Sequence, residues 1–170
     1  MCDHSGAGQG GGGIVEEGTN ECCLVETVGG ELYINCRNYK GAQRRAFAWS
    51  YDEGKAFGRF GWDETLVEPI CQASMVRYTK EPTSGRNRVL FANPASTERE
   101  KMTVRLSYDE CRSWAVSKEI RRGPSAYSDL AIAPDMTICC LYERGREHPY
   151  EGLTLARFNL KWLTDGADGL

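Results

Sequence analysis

No run of apolar residues in this 170-residue chain approaches the roughly 18 needed to cross a bilayer as a helix. The first residues, Met1 to His4 followed by glycines, lack the basic-then-apolar pattern of a secretion signal. Histidine occurs only at positions 4 and 148, and no Cys-x-x-Cys pair or Cys/His spacing suited to zinc is present. Neither sign of charge dominates: 21 Lys and Arg face 24 Asp and Glu, for a net charge of -3. That balance gives no reason to expect nucleic acid or an anionic membrane surface as a partner. Long amphipathic helical runs are missing too, which turns attention to strands.

What is present fits one all-β domain. Nineteen Gly, eight Tyr and four Trp suit a turn-rich chain, and 170 residues suffice for one core. The eight cysteines (2, 22, 23, 36, 71, 111, 139 and 140) fall mostly inside apolar strand-like runs. They are expected to pack as buried free thiols. Residues 1–13, with a Gly-rich stretch over 6–13, read as a flexible arm, 14–164 as the folded unit, and 165–170 as a tail. Strands are expected at 22–26, 31–37, 44–50, 70–79, 88–92, 102–107, 129–133, 137–143 and 153–158. Gly29-Gly30 closes the first hairpin.

One segment occurs twice, 57 residues apart: Ser50-Tyr51-Asp52-Glu53-Gly54-Lys55-Ala56-Phe57 and Ser107-Tyr108-Asp109-Glu110-Cys111-Arg112-Ser113-Trp114. Each follows a strand with apolar alternation and enters a turn in which Asp can accept backbone N–H bonds, with an aromatic packing beneath. A repeat of about this period marks propeller blades. The pattern resembles the Asp-box, S-x-D-x-G-x-x-W, of sialidase propellers, with Phe57 replacing Trp in the first copy and Cys111 replacing Gly in the second. Ser50, Asp52, Gly54, Phe57, Ser107, Asp109 and Trp114 are therefore read as structural, since the box is a folding device and the two Asp are turn-formers.

Further segments resemble sialidase active-site motifs in order and spacing: Asn20-Glu21, Asn35-Cys36-Arg37-Asn38, Phe91-Ala92-Asn93-Pro94-Ala95 followed by Arg99, and Ser125-Ala126-Tyr127-Ser128-Asp129-Leu130. Linking segments Cys71-Gln72-Ala73-Ser74, Leu141-Tyr142-Glu143-Arg144 and Ala156-Arg157-Phe158-Asn159-Leu160 extend the resemblance over residues 14–164. It implies the C-terminal half of a six-bladed β-propeller, about three antiparallel four-stranded blades, with the third, from about Ala126, lacking a box. It also implies an exo-alpha-sialidase that releases terminal sialic acid from glycoproteins, gangliosides or oligosaccharides. No cofactor or metal is implied.

The substrate's chemistry accounts for the residue types. Sialic acid carries a carboxylate on its anomeric carbon, so its site calls for planar, permanently charged arginines. Arg37 and Arg99 match two of the family's three. A carboxylate nucleophile would meet that substrate charge, whereas a neutral phenol does not; sialidases are known for a Tyr nucleophile. Tyr127 matches it, and Glu21 matches the base that takes its proton, which a phenol of pKa about 10 needs at neutral pH. Glu68 reads as a rim loop, Asp129 as a turn after the phenol, Glu143 as a strand end, and His4 and His148 as outside every motif.

The family's Arg-Ile-Pro motif, with its first arginine, and the Asp that acts as general acid do not occur in the sequence. Asp3-His4-Ser5-Gly6 reads as a decayed earlier box. Two alternatives to an incomplete hydrolase stay open: a non-catalytic sialic-acid-binding remnant, and an Asp-box propeller piece that only displays loops. Exposed blade edges are expected to favour self-association. The sequence leaves the compartment unknown; the resemblance is compatible with a secreted or a lysosomal full-length parent.

Overall fold

The structure, a computed structural model, describes residues 15–170; the arm and the decayed box read at the start lie outside the described residues. Ten strands follow one another: β1 (Thr19–Glu26), β2 (Leu32–Asn38), β3 (Arg44–Ser50), β4 (Gly58–Val67), β5 (Ser74–Thr79), β6 (Arg88–Pro94), β7 (Glu100–Ser107), β8 (Val116–Ile132), β9 (Ile138–Arg144) and β10 (Gly152–Phe158). A single-turn helix, α1 (Leu160–Leu163), closes the chain's ordered elements. All strand pairs are antiparallel. β1 to β4 form a meander of four, and β5 to β10 form a six-stranded sheet in chain order.

The six-stranded sheet is two blades joined through one strand. Residues 116–124 of β8 pair with β7 as the outermost strand of the second blade, and residues 125–132 pair with β9 as the innermost strand of the third. The junction is Gly123-Pro124, where Pro cannot donate to a ladder and the strand changes neighbours. Among the described residues the first two units thus hold four strands each, as expected, and the third holds three. The third unit begins at Ser125.

Both repeated segments adopt the same turn. Ser50 Oγ donates to Asp52 Oδ1 at 2.8 Å, and Asp52 Oδ1 accepts the Ala56 N–H at 2.9 Å. Ser107 Oγ donates to Asp109 Oδ1 at 2.9 Å, and the same oxygen accepts the Ser113 N–H at 2.8 Å. Each Ser Oγ also accepts the N–H four residues on, from Gly54 and Cys111, at 2.9 Å. These two residues have φ of 86° and 65°, the left-handed region that suits Gly and strains Cys. Phe57 packs on Ile34, Cys36, Ala46 and Ala48. Trp114 packs on Phe91 and donates through Nε1 to Asp63 at 2.9 Å.

Two strands were not foreseen. β4 and the first half of β8 are outermost strands, half exposed and rich in charge, so their sequences do not read as apolar runs. The expected strand 70–79 begins only at Ser74. Its first residues instead wrap a buried ion pair. Arg45 and Glu68, 0% and 1% exposed, approach to 3.2 Å; Arg45 also donates to Asn35 Oδ1 at 2.6 Å and to the Cys71 carbonyl at 2.6 Å. Glu68 Oε2 in turn accepts the Cys71 N–H at 2.9 Å. Glu68 is therefore core rather than rim, because Arg45 supplies the charge that lets a carboxylate be buried.

The main core lies between the second and third blades, built on Leu90, Met102, Leu106, Leu130, Ile138 and their neighbours. Of the seven described cysteines, all unpaired, Cys36, Cys71, Cys111 and Cys140 are buried; Cys22 is exposed, and Cys23 and Cys139 are intermediate, against the expectation for all eight. Burial pushes the Cys36 and Cys140 thiols up to about 12, so they stay protonated and inert.

Candidate active site

Two irregularities in the ladders create the site. Between Asn20 and Cys22 the β1–β2 register slips by one residue, and the extra residue is Glu21, with φ 35°. Between Ser125 and Ser128 the β8–β9 register slips as well, and Tyr127 lies in that slip. Bulges re-aim side chains out of the sheet's alternation, and here each carries one of the two expected chemical groups.

The two side chains meet although 106 positions separate them. The Tyr127 hydroxyl donates to Glu21 Oε1, and Arg37 Nη1 donates to Glu21 Oε2 at 2.5 Å and to the Tyr127 oxygen at 3.2 Å. Arg37 is 8% exposed, and its guanidinium also lies 4.6 Å from the centroid of the Tyr39 ring. Arg99 borders this trio from above the phenol. Its Cζ is 5.7 Å from the Tyr127 ring centroid; one nitrogen donates to the Tyr150 hydroxyl and the other to the Ile70 carbonyl at 3.3 Å. All four expected residues thus share one neighbourhood.

Electrostatics in the cluster are mutual. Burial would raise the Glu21 carboxyl, but the Tyr127 hydroxyl, Arg37 and the Arg99 charge outweigh it and hold Glu21 below the usual carboxylate range. Tyr127 moves the other way: its hydrogen bond to Glu21, then burial, raise the phenol above its ordinary value, with Arg37 opposing. Burial lowers the Arg37 guanidinium, yet the Glu21 hydrogen bond and charge raise it overall. Arg37 therefore sits beside the negative charge whichever oxygen, carboxylate or phenolate, carries it.

Several participants escaped the sequence. Glu143 lies near the end of β9, and its carboxylate accepts the Tyr127 backbone N–H at 3.0 Å. Gln72 bonds the backbone of Ser128, and Tyr150 holds Arg99. Glu143 and Gln72 stand in segments already noticed, but nothing local marks their targets, which are 16 and 56 positions away. Asp129 is an exposed strand residue of β8 rather than a turn. The His148 ring packs against Tyr150 in a tilted arrangement, ring centroids 4.6 Å apart and planes at 58°, at the edge of the Arg99 side of the site. Ser50, Asp52, Gly54, Phe57, Ser107, Asp109 and Trp114 make turn and packing contacts and none touches the phenol cluster. Among the described residues no group of three or more His, Cys, Asp or Glu is placed to hold a metal ion.

Blades closed by Asp-box turns, with a carboxylate, a phenol and two arginines at a pair of bulges, place the molecule in the sialidase class of β-propellers. Comparison with known proteins agrees. Residues 8–140 match the BNR repeat-like domain, and the chain belongs to that family. It is 36% identical over 156 residues to a sialidase of Micromonospora viridifaciens, covering 89% of this chain and 23% of that protein. An exo-alpha-sialidase of Aspergillus fumigatus is 29% identical over 169 residues, covering 91% and 39%. Among solved structures, a Hadza microbial sialidase superposes with a TM-score of 0.73 at 28% identity, covering 89% of this chain and 30% of that one. The chain spans less than half the length of these relatives.

Proposed function

We propose that the cluster performs the glycosyl-transfer half of an exo-sialidase reaction on sialylated glycans, with retention. The observation that carries this is the three-way contact of Tyr127, Glu21 and Arg37, which neither blade packing nor turn formation requires. Arg37 and Arg99 bind the substrate carboxylate. Tyr127 Oη attacks the anomeric carbon while its proton passes to Glu21 Oε1, and the bond to the aglycone oxygen breaks, its electron pair leaving with the aglycone as an oxyanion. Water then attacks the same carbon from the vacated face, the bond to Tyr127 breaks, the phenolate recovers its proton from Glu21, and the proton lost by the water passes through solvent to the departed aglycone oxyanion.

The test is hydrolysis of an aryl sialoside, whose phenolate leaves without protonation, beside a natural sialoside. The chain alone is expected to cleave the aryl substrate slowly and the natural one hardly at all, since general-acid assistance contributes about 10²- to 10⁴-fold. Tyr127→Phe and Glu21→Gln should each abolish most of the aryl cleavage. Cleavage needs ionised Glu21, whose pKa is depressed, so the rate should fall only as pH drops below the usual carboxylate range. Unchanged aryl cleavage by Tyr127→Phe would remove the proposed nucleophile. Saturable sialic-acid binding without any turnover would favour the non-catalytic reading.

A further inference from the structure

We infer that Gln72 is a positioning residue for Tyr127, acting through the backbone of β8. This rests on the reading of Tyr127 as the reacting phenol and adds the means by which its place is fixed.

Tyr127 stands in a bulge, where the ladder to β9 is broken between Ser125 and Ser128. A bulged residue has lost the hydrogen bonds that fix a strand, so something else has to define where its ring lies. Gln72 does this with a side-chain amide used as a substitute peptide. Its Nε2 donates to the Ser128 carbonyl at 3.0 Å and its Oε1 accepts the Ser128 N–H at 3.0 Å. Both bonds a neighbouring strand would make to that residue are thereby supplied by one side chain. Two residues further on, Ser74 Oγ accepts the Leu130 N–H at 2.8 Å, so the start of β5 continues the same edge.

Gln72 can serve as a fixed point because its own segment is locked. The residue before it, Cys71, is held at both backbone groups by the buried Arg45–Glu68 pair. Ile70, at φ 55°, turns its carbonyl to Arg99. One five-residue stretch, Glu68 to Gln72, therefore reaches the phenol's strand and an arginine that borders it. The groups facing the phenol are Glu21 on β1, Arg37 on β2 and Arg99 from the β6–β7 loop, with Glu143 of β9 on its backbone N–H. A displacement of about 1 Å at such a site can cost about 10²-fold in rate.

The readout that a merely structural role would leave unmoved is the titration of the Tyr127 phenol. Tyrosine labelled with ¹³C at Cζ is followed by NMR against pH in the full chain, with Tyr127→Phe assigning the resonance. In Gln72→Leu, which removes both bonds at similar volume, the phenol is expected to leave Glu21 and titrate lower, toward the value of about 10 for an unpaired tyrosine. Gln72→Met, which removes both bonds with an unbranched, uncharged side chain, should shift it in the same direction and covers the case of a poorly folding Leu variant. Ser74→Ala, which loses one bond two residues on, should leave the titration where it is. Aryl-sialoside cleavage by Gln72→Leu should fall about 10- to 100-fold in kcat with little change in KM. A Tyr127 titration unchanged in both Gln72 variants overturns the inference. Intact aryl cleavage by Tyr127→Phe would instead sink the catalytic reading, while the titration still decides whether Gln72 places the ring.

Discussion

The two Asp-box turns share one hydrogen-bond scheme but not one role. In the first, Tyr51 is half exposed and stacks on Trp49 at 6.4 Å, and Glu53 reaches only the exposed Lys55 at 3.7 Å. In the second, each equivalent residue has a distant partner. Tyr108 donates to Asp168 at 2.8 Å, and Glu110 takes a two-pronged contact from Arg77 at 2.7 and 2.5 Å and the Val28 N–H at 3.1 Å. Arg77 also donates to the Glu26 carbonyl at 2.8 Å. Cys111 joins Val25, Tyr33, Trp49 and Val89 in the cluster between the first two blades. The same motif is thus a local turn in one blade and the seam between blades in the other. A motif fixes its own backbone; its surroundings decide what the remaining positions are for.

Removing the aromatic should have the largest effect on stability in either box. Trp114→Ala loses packing on two clusters and leaves Asp63 without its indole donor, so about 3 kcal/mol of stability is expected to go. Phe57→Ala empties only the first blade's own face, at about 1.5 kcal/mol. Equal midpoint shifts in urea unfolding would undo the distinction.

The carboxylates sharpen it next. Glu110→Ala breaks a pair that is 20% and 12% exposed and frees the Val28 N–H, for an expected loss of about 2 kcal/mol. The exposed Glu53–Lys55 contact, opened by Glu53→Ala, should change stability by less than about 0.5 kcal/mol. Hydrogen exchange at the β1–β2 hairpin should rise in the first variant only.

Asp168 extends the seam to the last residues of the chain. Its bonds to Arg88, working against burial and aided by Tyr108, lower its pKa to about 2 from 3.8. Because the folded value is the lower one, the stabilisation is complete above about pH 5 and disappears as pH falls through 2. It amounts to about 2 kcal/mol. Asp168→Asn should flatten the acid limb of the stability curve by that amount; an unaltered limb would show the latch to be idle.

The smallest losses in the second box are expected at the left-handed position. Cys111→Gly relieves strain at φ 65° but gives up a buried thiol, and the two effects, each about 1 kcal/mol, should nearly cancel. Gly54→Ala has no such compensation. Its new Cβ would lie 3.2 Å from Leu32 Cδ1 at φ 86°, so it should destabilise by about 1 to 2 kcal/mol. A loss in Cys111→Gly exceeding that of Gly54→Ala would reverse the assignment of strain.

The all-β class, most strand positions, the repeated turn and the residue types of the candidate site are legible in the amino-acid order alone. Each of these is carried by short-range signals: alternation, Gly and Asp in turns, or a motif a few residues long. The contact of Glu21 with Tyr127 emerges only in the folded chain, since their ladders bulge through a register slip that no local pattern announces. The burial of Glu68 likewise emerges only there, because the partner that neutralises it, Arg45, is 23 residues away. The outer strands β4 and early β8 stayed hidden for the opposite reason: they are half exposed, so little apolar patterning is imposed on them. Gln72 is the sharpest case, an amide whose two partners are backbone atoms of another blade and therefore leave no mark on side-chain identity at either end.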